Sequence, residues 1–275
     1  MADADKHLPD PDDFRVAPGK APDLSKLATR YAGPLEKDDG EDLLKGIADR
    51  MAELQELLYA EGKRSLLIVL QAMDAAGKDS TVRHVFSPLN PAGCVVTSFK
   101  APTSEELAHD FLWRIHQHAP RAGNVAVFNR SHYEDVLIVR VKQWVAEKVW
   151  RRRYAHINHF EELLQDSGTV VLKFFLHISK DYQKERLQRR LDRPDKHWKF
   201  NPEDLLEREH WDDYQTAFAE CFKETSTKDA PWFIIPAERR WYRNLAIASI
   251  VTQTLEQMDP KPPAPDFDPS TIVLE

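Results

Sequence analysis

Residues 66–80 read Leu66-Leu67-Ile68-Val69-Leu70-Gln71-Ala72-Met73-Asp74-Ala75-Ala76-Gly77-Lys78-Asp79-Ser80, and an apolar-periodic stretch through Val82, Val85 and Phe86 follows. A short apolar run, a Gly-Lys loop and a helical pattern in that order predict a strand that turns into a helix amino terminus. Such a turn aims successive backbone N–H groups at phosphate oxygens, and its lysine adds a movable charge. Two positions depart from the usual pattern: Ala72 stands where a first glycine is expected, and Asp79 stands where a Ser or Thr hydroxyl would hold Mg²⁺. On the motif alone, a plain strand-to-helix turn explains Gly77-Lys78 as well as a phosphate loop does. Asp74 shifts the balance, because a carboxylate beside bound phosphate is repelled unless a cation lies between them, and Mg²⁺ is the obvious candidate.

Outward from this loop, further apolar runs lie at Val95–Phe99, Val125–Phe128, Val170–Leu176 and Trp232–Ile235. Runs of this length without polar alternation predict strands buried on both faces. The helical patterns between them predict an α/β fold, a doubly wound, mainly parallel sheet with helices on both faces. Helices are expected over Asp38–Glu61, from the Thr103 capping box through Ile115, and over His132–Val141, Arg151–Gln165, Lys180–Leu191, Glu203–Cys221 and Trp241–Gln257. This places a catalytic domain at 38–258, with an extended polar arm at 1–37 whose order would depend on a partner surface. A Pro-rich tail occupies 259–275.

Several function classes fit poorly. The net charge of −7 argues against a dedicated nucleic-acid binder, and no apolar run is long enough to span a membrane. Cys94 and Cys221 form no CxxC pair, and the amino terminus lacks a signal-peptide pattern, so a cytoplasmic location is expected. There is neither an HExxH zinc motif nor a GxSxG elbow.

Chemistry-bearing residues recur at a second strand end, where Asn129-Arg130-Ser131-His132-Tyr133-Glu134-Asp135 follows the Val125–Phe128 run. Doubly wound folds place ligands there. Asn129 occupies the place of an ordinary Walker B acid, and Arg130 offers a planar fork that takes two phosphate oxygens at once. Glu134 and Asp135 serve either a helix dipole or a metal or nucleotide site. The segment Lys180–Lys199 carries eight Lys or Arg against four Asp or Glu, with Arg186, Arg189, Arg190 and Arg193 spaced by three and four. This is either a solvated helix face or a mobile lid whose arginines close over a transferring phosphoryl group.

Taken together, these residues resemble the polyphosphate kinase 2 family. The similarity is carried by Gln71–Asp79 (QAMDAAGKD), Phe128–Leu137 (FNRSHYEDVL), Arg190–Pro202 (RLDRPDKHWKFNP), Trp211–Tyr214 and Ala230–Trp232, within about Asp38 to Gln257. The resemblance implies a P-loop kinase fold with a helical lid at about 180–222, Mg²⁺ as cofactor and a homo-oligomer such as a tetramer. Its Asn-Arg-Ser-x-Tyr-Glu-Asp pattern looks like the branch accepting both nucleoside mono- and diphosphates. The implied reaction is reversible phosphoryl transfer from inorganic polyphosphate to AMP or ADP, with guanine nucleotides as further acceptors.

In that reading Lys78 and the backbone of Ala75, Ala76, Gly77, Asp79 and Ser80 hold phosphates, beside Asn129. Asp74 and Glu134 are the metal candidates, and Arg130, Arg186 and Arg190 neutralise the transition state. Lys100, Lys196 and Lys199 join the phosphate- or nucleotide-binding residues, and Lys196 and Lys199 with Arg151 to Arg153 would guide the polyphosphate chain. Two rivals share the loop: an ATP-dependent nucleoside monophosphate kinase, and a catalytically silent phosphate-binding protein.

Overall fold

The apolar runs form five strands in the computed structural model, which describes residues 8–268 and 271–272: β1 (Ser65–Ala72), β2 (Cys94–Ser98), β3 (Val125–Asn129), β4 (Thr169–His177) and β5 (Trp232–Pro236). All pairs are parallel, in the order β2-β3-β1-β4-β5, with Leu70 opposite Asn129 on one side and Phe174 on the other. Strands β3 and β5 are buried along their whole length and β1 to its last residue, as continuous apolar runs predict for a sheet covered on both faces. Strand β2 differs from that expectation: Val95 and Val96 remain 50% and 44% exposed. It is the sheet edge with a strand neighbour on one side only.

In chain order the helices are α1 (Lys37–Glu61), α2 (Lys78–Val85), α3 (Ser104–Leu107), α4 (Trp113–His116), α5 (Ile138–Val141), α6 (Glu147–Asp166), α7 (Lys180–Leu191), α8 (Glu203–Glu209), α9 (Trp211–Thr225) and α10 (Arg240–Met258). Helix α1 ends at Gly62, which takes the left-handed conformation and donates its N–H to the Leu58 carbonyl. Three expected helices are each broken in two. The Thr103 capping box forms, but Asp110 accepts from the Leu112 N–H at 2.9 Å and diverts the chain before α4. His132–Val141 becomes a 3₁₀ turn (His132–Asp135) followed by α5, because Ser131 caps the Tyr133 N–H and the Tyr133 side chain is tied into the interior. Glu203–Cys221 breaks at His210, between α8 and α9.

The amino-terminal segment finds its surface on the chain itself. Val16 donates to the Trp232 carbonyl at 2.9 Å and Ile234 to the Phe14 carbonyl at 2.8 Å, so an antiparallel bridge between Arg15 and Phe233 covers the edge of β5. At the other end Asp259 terminates α10 in the left-handed region, and a proline-rich stretch follows. Residues 1–7 of the arm and positions 269, 270 and 273–275 of the tail lie outside the described residues.

Parallel pairing brings the carboxyl ends of β1, β3 and β4 to one rim. The phosphate-loop sequence, the Asn129–Asp135 cluster and the basic helix α7 all start there.

Candidate functional site

The loop between β1 and α2 is set by two residues in the left-handed region, Ala75 (φ 65°) and Gly77 (φ 104°). Lys78 begins α2 and donates from Nζ to the Ala72 carbonyl at 3.0 Å, folding its side chain back over the loop. Its surroundings push the amine down to about 8, first through burial and then through the neighbouring Arg130, with Asp74, Glu134 and Asp79 pulling the other way. The lysine therefore stays mostly protonated at neutral pH, and an incoming anion favours that form further.

The two carboxylates of the loop, Asp74 and Asp79, are both engaged with the second strand end. Asn129 Nδ2 donates to Asp79 Oδ1 at 2.7 Å, so the amide at the strand end and the carboxylate at the helix start have exchanged the positions an acid and a hydroxyl would hold. Arg130 Nη2 donates to Asp74 Oδ1 at 2.7 Å and bridges the loop to β3. Arg130 is itself left-handed (φ 63°), a strained conformation for a residue with a Cβ. Glu134, acting against burial, holds the guanidinium above its ordinary range, with Asp74 adding to the effect.

These groups open onto a cavity of about 560 Å³. From the loop it receives Asp74, Ala75, Gly77, Lys78, Asp79 and Ser80; from the neighbouring strand ends come Lys100, Asn129 and Arg130. Its far wall is Arg186 and Arg190 of α7 with Lys196 and Lys199 beyond. Ten cationic side chains face two carboxylates across this space, an excess of positive charge that would attract an anion. Arg190 is held by Asp204 (3.1 Å) and the Lys199 carbonyl (3.2 Å), whereas Arg186 forms no ion pair among the described residues.

Some expected residues lie elsewhere. Ala76 is buried and offers its carbonyl to Arg243 at 3.2 Å, and Glu134 stands off the cavity wall. Arg151 and Arg153 are absorbed by Glu147 with Glu220 and by Asp135 respectively, so the triple arginine does not join the cavity. Conversely, Arg189, Arg193 and Arg240 line it, as do Ser98 and Phe99. Arg240 was legible as a basic residue just past an apolar run, the same signal that drew attention to Arg130. Arg243 lies inside a helical pattern and gave no such signal.

Between β4 and α6 lies a second charged cluster, wholly buried. Lys173 Nζ donates to Glu161 Oε2, to Tyr133 Oη at 3.1 Å and to the Thr225 carbonyl at 2.6 Å, while Tyr133 donates to Glu161 Oε1 at 2.6 Å. Burial alone would raise the Glu161 carboxyl, but Lys173 and His132 more than offset it. The network pins the 3₁₀ turn from which Glu134 projects.

No group of three or more metal-binding side chains exists among the described residues. Mg²⁺ in phosphoryl-transfer sites is commonly held by one or two carboxylates together with substrate phosphates, and the half-buried Asp74 with Glu134 nearby meets that smaller demand.

A parallel sheet in this order, with a Gly-Lys loop after β1 and a basic helix after β4, is of the P-loop kinase-like class of α/β folds. The pattern of the Polyphosphate kinase 2 family matches residues 34–263. The chain is 55% identical to the AMP/ADP-polyphosphate phosphotransferase of Meiothermus ruber, covering 95% of this chain and 99% of that protein. It is 43% identical to the ADP-polyphosphate phosphotransferase of Rhodopseudomonas palustris, covering 89% of each. The crystal structure of Polyphosphate Kinase 2 from Arthrobacter aurescens superposes with a TM-score of 0.89 at 46% identity, covering 94% of this chain and 92% of that one. The chain belongs to the polyphosphate kinase 2 family.

Proposed function

We propose that this chain transfers phosphoryl groups reversibly between inorganic polyphosphate and AMP or ADP, with Mg²⁺ as cofactor. The observation that carries this reading is the continuous cationic wall from Lys78 to Lys199, far larger than a single phosphate needs and shaped for a chain bearing a charge on nearly every unit. The names of the Meiothermus and Rhodopseudomonas relatives support the same donor and acceptors.

The acceptor phosphate is already ionised at neutral pH, so transfer needs positioning and charge neutralisation more than a base. An acceptor oxygen bonds to the terminal phosphorus of the donor chain as the bridging P–O bond breaks, and the shortened chain leaves with that electron pair. Lys78 and the loop amides hold donor phosphates. Arg130, anchored through Asp74, orients a phosphate at the β3 end. Residues 180–222 act as a lid, from which Arg186 and Arg190 face the charge that spreads over the transferring group. Asp74 is the residue that would hold Mg²⁺, with Glu134 close to the same charges. Bound there, the ion neutralises phosphate oxygens. A homo-oligomer in the cytoplasm completes the reading and is checked by light scattering of the purified protein.

The test supplies purified protein and Mg²⁺ with AMP, ADP, GMP or GDP, giving polyphosphate alone or ATP alone as donor, and separates product nucleotides chromatographically. Phosphorylation of the adenine nucleotides with polyphosphate alone is expected. Brisk ATP-to-AMP transfer with polyphosphate inert would assign the chain to ATP-dependent nucleotide kinases.

A further inference from the structure

Directly beneath the phosphate loop lies the guanidinium of Arg243. Arg243, one turn into α10, is 1% exposed, and its side chain is among the largest fully buried ones. Its hydrogen bonds all go to neutral acceptors: Nη1 to the Ala76 carbonyl at 3.2 Å, Nη2 to Ser80 Oγ at 3.3 Å, and Nε and Nη2 to Asn244 Oδ1 at 3.2 and 2.9 Å. No carboxylate pairs with it among the described residues; of the groups around it the Tyr182 phenol favours its charge, and two further cations, Arg240 and Arg186, oppose it. Contact with the loop is tight: a Cβ on Gly77 would come within 2.4 Å of Arg243 Nη1.

A buried charge without a partner is costly, and proteins ordinarily pair it. Elsewhere in this chain that rule holds. Lys173, equally buried, has Glu161 against it, and Arg114, 7% exposed, has Glu106 at 3.5 Å. Burial depresses the Arg243 guanidinium to about 10, still far above neutrality, so the charge persists in the resting protein. Its field acts through a single layer of loop backbone, in a region that excludes water.

We infer that Arg243 is a positioning residue whose missing counter-charge is the condensed phosphate bound on the other face of the loop. The inference rests on the proposed phosphate-binding role of that loop. Arg243 fixes the Ala76 carbonyl and the Ser80 hydroxyl from behind the loop. It also adds a fixed positive potential that needs no reorganisation when the anion arrives. The bound anion in turn relieves the unpaired charge, so ligand affinity and loop stability are linked through this one side chain.

The experiment follows thermal unfolding of the whole protein with and without inorganic tripolyphosphate, in the absence of nucleotide and Mg²⁺. Wild-type protein is expected to gain Tm with tripolyphosphate; no gain would sink the phosphate-loop reading and this inference together. Arg243→Gln keeps a hydrogen-bonding side chain without the charge, and its tripolyphosphate affinity is expected to fall at least ~10-fold, with Arg243→Lys retaining most of it. Asn244→Asp leaves Arg243 in place and supplies an internal counter-charge. It should raise the Tm of the ligand-free protein and weaken tripolyphosphate by ~10-fold, so the idea is tested even if Arg243→Gln does not fold.

A gain with the anion that is unchanged in Arg243→Gln or in Asn244→Asp would make Arg243 a structural staple only. Equal losses in Arg243→Gln and Arg243→Lys would assign the effect to loop hydrogen bonds and overturn the charge argument. In steady state, the apparent KM for polyphosphate should rise in Arg243→Gln while the KM for nucleotide stays within ~2-fold, a split that general loosening of the fold would not produce.

Discussion

Two charged clusters flank the end of β3, and they obey opposite rules. In one, between β4 and α6, Lys173, Glu161, Tyr133 and His132 are excluded from water and each charge is matched by an opposite one or a hydrogen bond. In the other, Lys78, Arg186 and Arg240 face a cavity with cations in excess and few acids to meet them. Matched charge makes an internal strut, because either member left alone would strand an ion in a low dielectric. Unmatched charge is an incomplete structure that a ligand finishes. The residues between them, Arg130 and Glu134, connect the two, since the turn that carries Glu134 is held by Tyr133 from the matched side.

The comparison breaks most visibly if the matched pair is split. Lys173→Met should lower folding stability by ~3–5 kcal/mol in urea denaturation, and the double variant with Glu161→Leu should recover a large part of that loss. Additive losses in the double variant would mean that the pair is not a strut. On the unmatched side the expected effects are on turnover. Asp74→Asn should cost ~100-fold or more in rate and blunt the Mg²⁺ dependence, with folding stability changed by less than ~1 kcal/mol, as expected for a partly exposed ion pair. An unchanged Mg²⁺ titration would remove Asp74 from the metal site.

Smaller still is the lid. Arg186→Ala should lower kcat by ~10- to 50-fold while nucleotide KM moves by less than ~3-fold, because its charge is needed as the transferring group develops. Full turnover would return α7 to a solvated face. The gentlest probe is pH. The Lys78 amine sits near 8 in the ligand-free protein, below its ordinary value, and a bound phosphate favours its charged form. Binding therefore takes up a proton above pH 8, and tripolyphosphate affinity should fall several-fold between about pH 8 and pH 9.5, measured against Lys78→Arg so that the anion's own last ionisation cancels. Lys78→Arg should flatten that slope; a flat wild-type profile would show that Lys78 stays charged without ligand.

Reading the chain in order was enough for the strands and for the residues of the loop. Continuous apolar runs such as Leu66–Leu70 need burial on both faces wherever they sit, and Gly77 takes a backbone conformation that other residues adopt only under strain. The basic periodicity of Arg186, Arg189, Arg190 and Arg193 was equally plain, and all four reach the cavity, the first three from α7 and Arg193 from the extended residue just past its end.

What local pattern did not decide was partnership. Asn129 meeting Asp79 spans 50 positions and Arg243 under Ala76 spans 167; no period or motif links such pairs, because only the parallel order of the strands brings them together. The same holds for Arg151 and Arg153, which looked like candidates for the polyphosphate track until acids from other turns and helices claimed them. Residue type and spacing fix which groups are charged and which surfaces are apolar. Whether a charge is neutralised inside the protein or left for a ligand depends on what the fold sets beside it, and that belongs to the tertiary structure alone.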